Sequence, residues 1–173
     1  MSGFFQALPF TLEMEGGYTV DTGGPTYQGV TEAVYHDWRR SNNQGKRPVK
    51  LMDGEERDAI YHQRYWVAAK CDKLPWPHSM VHFDCAVNTG VSRATKVLQA
   101  AVGAKPDGAW GSLTQDAVGL ALGNDVELFN AMLWERSAFY YTLVSTHGDT
   151  YKPYFVGWIR RVLKLRKKAR EMW

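Results

Sequence analysis

A mainly α fold with one small, irregular β segment is what this sequence predicts, and three observations predict it. Apolar residues recur at spacings of three and four along most of the chain. Alternating, strand-like patterning is almost absent, with a weak instance between Tyr18 and Tyr27. Glycine and proline punctuate the helical stretches, at Gly16-Gly17, at Leu74-Pro75-Trp76-Pro77 and at Gly90. The 173 residues allow one compact domain or two small lobes sharing a core. Hydrophobic residues make up 45% and charged residues 23%, which is too apolar for a disordered chain. No apolar run approaches the ~20 residues that span a bilayer.

In order, Phe4, Phe5, Leu8, Leu12 and Glu15 share helical spacing, so residues 3–15 read as a helix whose inward stripe ends on Glu15. Glu13 points elsewhere and reads as solvated. Pro9 interrupts the pattern and marks a potential split into two short pieces. Gly16-Gly17 stops the helix, because glycine supplies the left-handed backbone of a C-terminal cap. A hairpin or loop around Gly23-Gly24-Pro25 follows. Thr31 caps a helix to about Arg40, and Asp53 with Glu56 forms a capping arrangement for another reaching about Ala69. Helices then follow over Met80–Asn88, Ser92–Val102, Ser112–Ala121, Asp125–Val144 and from Tyr154 to the end.

Cys71 and Cys85 are too few and too far apart for a zinc ribbon or a redox pair, and read as buried free thiols. The net charge of +3 is mild but localised: residues 153–173 hold seven basic residues against the single acidic Glu171. Phe155, Trp158, Ile159, Val162, Leu165 and Ala169 form the apolar stripe of that last helix, with Arg160, Arg161, Lys164, Lys167, Lys168 and Arg170 mostly off it. Two readings stand for this helix: a core helix with a solvated face, or one drawn to anionic glycans or membrane lipids. The N-terminus lacks a basic residue and a small-residue cleavage site, so it does not read as a secretory signal.

The chemistry-bearing stretch is Glu13–Thr31. Glu15 stands where an apolar helix ends, Asp21 follows six residues on, and Thr26 and Thr31 come after a glycine-rich turn. Two acids across a polar loop suit glycosidic bond cleavage, in which one protonates the leaving oxygen while a second group handles water or developing positive charge. The plainer reading is an ordinary polar turn.

Four blocks distinguish the two. Glu15-Gly-Gly-Tyr with Asp21-x-Gly-Gly-x-Thr-x-x-Gly-Val-Thr comes first, then Phe83-Asp84-Cys85-Ala86-Val87-Asn88-Thr89-Gly90. Leu98-Gln99 with Asp107-Gly108, Trp110-Gly111, Thr114 and Ala117-Val118 is third, and Gly157-Trp158-Ile159-Arg160-Arg161 is fourth. In this order they resemble the ZliS-type N-acetylmuramidases, glycoside hydrolase family 108, often found as phage endolysins, with a C-terminal predicted peptidoglycan-binding region. The loop before Asp21 is shorter than the family pattern, and Asp21 is the only carboxylate in it.

The resemblance implies a lysozyme-like, two-lobed helical domain, with a catalytic lobe over 1–90 and a helical lobe over 91–173 packed with it as one unit. It implies hydrolysis of the β-1,4 bond between N-acetylmuramic acid and N-acetylglucosamine, without a cofactor or metal. Glu15 would be the general acid, kept protonated by an apolar pocket. Asp21 and Thr26 would handle water, by an inverting route. Tyr27 and Gln28 could line a sugar subsite. Asn88 could bind an acetamido group or cap backbone, and Trp110 could stack on sugar or be a buried turn residue. Partners implied are glycan strands, with no nucleic acid, on a monomer made in the bacterial cytoplasm and released to the wall through a lesion made by a holin-like partner.

Two alternatives remain open. A zinc-dependent peptidoglycan amidase or peptidase could use His78 and His82, four apart, but the zincin glutamate and an obvious third ligand are missing. A non-catalytic cell-wall binding module is suggested by the Leu98–Val118 block alone. Nucleic-acid binding lacks a reading motif, and serine or cysteine catalysis lacks a nucleophile elbow.

Overall fold

The computed structural model describes residues 3–21 and 24–171, apart from the side chain of Asp21. Helix α1 (Gly3–Glu15) leads into a three-stranded antiparallel sheet of β1 (Tyr18–Asp21), β2 (Gly24–Tyr27) and β3 (Val30–Thr31). Then come α2 (Glu32–Ser41), α3 (Gly54–Tyr61), α4 (His78–Thr89), α5 (Val91–Ala101), α6 (Ser112–Ala121), α7 (Asp125–Thr146) and α8 (Gly148–Glu171). The mainly helical expectation is met, and the anticipated loop or hairpin is a small sheet with a third strand.

Local signals act as their chemistry requires. The Thr31 hydroxyl accepts from the Val34 N–H, and Asp53 and Glu56 form a reciprocal capping box at the start of α3. Pro9 does not split α1. It and Phe5, whose carbonyl it leaves without a helical donor, both lie on the exposed face, where water can take that bond. The helix expected to reach Ala69 instead widens after Tyr61 into a π-helical stretch, His62–Val67, which buries Trp66. Helix α8 starts six residues before the expected Tyr154, with Pro153 inside it.

The centre of the molecule is α4. Every residue from His78 to Ala86 is buried, as expected of a helix surrounded on all sides. Helices α1, α5, α7 and α8 pack around it. Cys71 and Cys85 are both buried free thiols. In the block from Leu98 to Val118, the turn between α5 and α6 is organised by one side chain. Buried Gln99 donates to Asp107, to the Ala109 carbonyl and to Thr114, and accepts from the Gly108 N–H. Gly108 sits at φ +83 against the Ser92 backbone carbonyl, so only glycine fits. Trp110 packs edge-on to His82 and donates to Gln115, in keeping with a turn tryptophan.

The two histidines of the zinc alternative are core residues. His82 Nε2 lies 3.1 Å from the Ala69 carbonyl and His78 Nε2 3.1 Å from that of Asp125. Burial pushes His82 down to about 4, so it is neutral near physiological pH. No metal-binding group of three His, Cys, Asp or Glu occurs among the described residues.

One polar cluster sits inside this core. Asp84 on α4 is fully buried and accepts from Thr11 of α1 at 3.1 Å, from Arg136 of α7 at 2.8 Å and from Arg161 of α8 at 2.8 Å. Burial alone would raise the Asp84 carboxyl, but the two guanidinium groups outweigh it and hold it below the usual carboxylate range. A depressed carboxylate contributes stability above its unfolded value, near pH 4, that is lost as pH falls through its lower native value. Asp84→Asn leaves two buried cations facing one neutral amide, and urea unfolding at pH 7 is expected to show a loss of about 3–5 kcal/mol. The variant's remaining stability should also fall less than that of the wild type below pH 4.

Candidate active site

Glu15 is the last residue of α1, where the free backbone carbonyls carry the negative end of the helix dipole. With Glu13 it puts two acids there, and the last turn has no basic residue of its own. The missing cations come from α8. Arg161 Nη1 donates to Glu15 Oε1 at 2.7 Å, and exposed Lys164 lies 3.4 Å from Glu13. The Glu15 side chain is 20% exposed, so one side of it meets solvent while the other meets the core.

The far side of Glu15 is closed by the β2–β3 turn. Gly29, at φ +77, lies so close that an added Cβ would stand 3.0 Å from Glu15 Oε2 and collide with the Tyr61 hydroxyl. That hydroxyl donates to the Gln28 carbonyl at 2.8 Å, and Arg57 donates to the Gln28 side-chain oxygen at 2.9 Å. Burial raises Tyr61 well above the usual phenol range, with the Glu15 charge adding to the effect, and Tyr65 is raised in the same way. Both phenols therefore stay protonated. The setting of Glu15 is not the purely apolar pocket that its position on the α1 stripe suggested. It is a boundary between buried aromatics and a fixed guanidinium.

Register places the other expected residues. Thr26 of β2 stands opposite Thr19 on β1 and Thr31 on β3, so the three threonines share one face of the sheet. Tyr18, Tyr27 and Val30 share the other, with Val30 buried and Tyr27 packed on the core. Asp21 pairs by backbone with Gly24 at the end of β1, and its side chain lies outside the described residues. Tyr27 and Gln28 lead directly into the turn that touches Glu15, but the Gln28 oxygen is committed to Arg57. Asn88 is near the end of α4 and accepts from the Tyr140 hydroxyl at 2.5 Å, whose ring stacks on Trp158.

The residues missing from the sequence-based site are Arg161, Asp84, Tyr61 and Gly29. Arg161 stood among the basic residues expected mostly off the apolar stripe, yet it is buried. Its position was readable: three residues after Trp158 and four before Leu165, it falls on the stripe's own face. A chain of polar contacts runs from Glu15 through Arg161, Asp84, Arg136 and Tyr140 to Asn88. It joins α1, α4, α7 and α8.

The profile for the family described as glycosyl hydrolase 108 matches residues 8–90, and that for a predicted peptidoglycan domain matches residues 93–163. A search of curated proteins finds no significant match. Among solved structures, that of Brucella abortus SagA aligns with a TM-score of 0.75 at 30% sequence identity, covering 97% of this chain and 94% of that one. The chain belongs to the glycosyl hydrolase 108 family: it is a glycoside hydrolase with a lysozyme-like helical fold and a peptidoglycan-degrading function.

Proposed function

We propose that the protein is an N-acetylmuramidase that cleaves the β-1,4 bond between N-acetylmuramic acid and N-acetylglucosamine, with Glu15 as general acid. The observation that carries this reading is the half-buried Glu15 carboxylate, with one oxygen on Arg161 and the other beside the Gly29 turn. A general acid must be held in fixed geometry at the leaving oxygen and be open to substrate on one side. Asp21 and Thr26 position the attacking water, and the bond breaks with inversion. Tyr27 and Gln28 line the adjoining subsite, and Asn88, oriented by Tyr140, binds an acetamido group. Residues 1–90 carry the catalytic lobe and 91–173 the helical lobe, packed as one monomeric unit.

The exposed face of α8 supports a second contact. Lys164 and Lys168 have half-exposed side chains, and helical spacing puts exposed Val156 and Leu163 on the same side of α8 as Arg160 and Lys167. This mixed face attracts anionic glycan or lipid at a bacterial surface. In biological terms the reading is host-cell lysis by a phage-type endolysin made in the cytoplasm and released to the wall through a partner-made lesion. No described helix is long and apolar enough to cross a membrane.

Glu15→Gln keeps the Arg161 contact as a neutral amide but removes the transferable proton. Release of reducing sugar from purified peptidoglycan is expected to fall by about 100-fold or more, in a protein still folded at the assay temperature although its melting temperature is lowered by the lost counter-charge of Arg161. Undiminished release would remove Glu15 from the reaction. In the wild-type digest, proton NMR of freshly released ends should show the α-anomer first, and initial β-anomer would instead mean retention. Neutralising Lys164, Lys167, Lys168 and Arg170 together should slow lysis of whole cells while hydrolysis of purified peptidoglycan persists. Equal whole-cell lysis would leave the basic face as a solvated surface.

A further inference from the structure

Arg161 lies in the part of the chain matched by the predicted peptidoglycan domain, 146 residues after Glu15. It forms two kinds of contact at once. Nε and Nη2 bind Asp84, at 3.0 and 2.8 Å, while Nη1 binds Glu15 at 2.7 Å. We propose that Arg161 is a positioning residue for the catalytic carboxyl, so that the C-terminal half completes the active site rather than only binding the wall. The proposal rests on the reading of Glu15 as the general acid.

Charge accounting favours this over a purely structural role. Buried Asp84 already has Arg136 as a counter-ion, at 2.8 Å and fully buried. One guanidinium compensates one carboxylate, and a second buried cation needs a second anion. Glu15 is that anion, and the four charges sum to zero.

Geometry gives the same answer. The planar guanidinium is fixed on its Asp84 edge, and Asp84 is itself fixed by Thr11 and Arg136, so Nη1 is a donor with little freedom. Glu15 needs such a donor. It ends a helix against Gly16 and Gly17, beside which nothing lies within 4 Å of where a side chain would start, so the neighbouring chain does little to confine it. With Oε1 on Arg161 and Oε2 beside Gly29, the carboxyl has one orientation. Lysine at 161 would offer a point charge able to satisfy Asp84 but without the fork that reaches both acids. Misplacing a reacting group by about 1 Å costs on the order of 100-fold in rate.

The test compares Arg161→Lys with Arg136→Lys on soluble peptidoglycan fragments, with Glu15→Gln alongside and melting temperature recorded for all. Both lysine variants weaken the Asp84 cluster, but Arg161→Lys alone alters a contact to Glu15. The expected result is a fall in kcat of about 10- to 100-fold for Arg161→Lys with KM within about threefold, and a clearly smaller fall in kcat, about threefold to fivefold, for Arg136→Lys, which reaches Glu15 only through Asp84. Equal kcat losses in the two, or wild-type kcat in Arg161→Lys, overturn the proposal while leaving Glu15 as the acid. An active Glu15→Gln overturns the general-acid reading itself and this proposal with it. A measurement that leaves position 161 intact guards against misfolding: with guanidinium nitrogens labelled with nitrogen-15, the Arg161 Nη resonance should move on Glu15→Gln. An unmoved resonance rejects the contact.

Discussion

The fold depends on one shared guanidinium. Arg161 holds Asp84 at the middle of α4 and Glu15 at the end of α1, while Arg136 holds Asp84 from α7. A buried carboxylate is costly unless paired, and here the pairing partners come from helices far apart in sequence. The cluster therefore acts as a registration device: α1, α4, α7 and α8 reach their charges together only in this packing. Thr11 and Tyr140 satisfy further hydrogen bonds of the cluster, and the Trp158 ring covers Tyr140.

The same pairing explains why an acid can stand at the C-terminal end of a helix. Two glutamates beside unsatisfied carbonyls are unfavourable by roughly 0.3–1 kcal/mol each at an exposed helix end. Cations from α8 offset this, a weak exposed one at Glu13 and a buried one at Glu15. The C-terminal half thus holds a partly exposed carboxylate in place at the end of α1. That link gives the two matched regions a physical reason to be one packed unit.

The helices were legible in the sequence because spacing and caps act locally. Thr31, Asp53-Glu56 and Gly16 stand where capping chemistry puts them. Pro9 misled because the cost of a missing N–H depends on which face its partner carbonyl occupies, and exposure is not written at one position. The π-helical stretch after Tyr61 carries Trp66 into contact with Phe4 and Phe83, partners that local spacing does not reveal. Within the site, Glu15 and the threonine-bearing turn could be found from local pattern and resemblance. Its environment could not. The guanidinium that sets the environment of Glu15 sits 146 residues away, and an arginine in a basic run reads as solvated unless its place on the apolar stripe is given more weight than its charge.

Glu15 is the point where these constraints converge, being bounded by a fixed cation and a glycine turn. An acid so held is proposed to cleave the glycan strand on the muramic side. Mass spectrometry of the products from purified peptidoglycan tests it most directly. Muropeptides carrying N-acetylmuramic acid at the reducing end are the predicted result, and free stem peptides or reducing-end N-acetylglucosamine would contradict it.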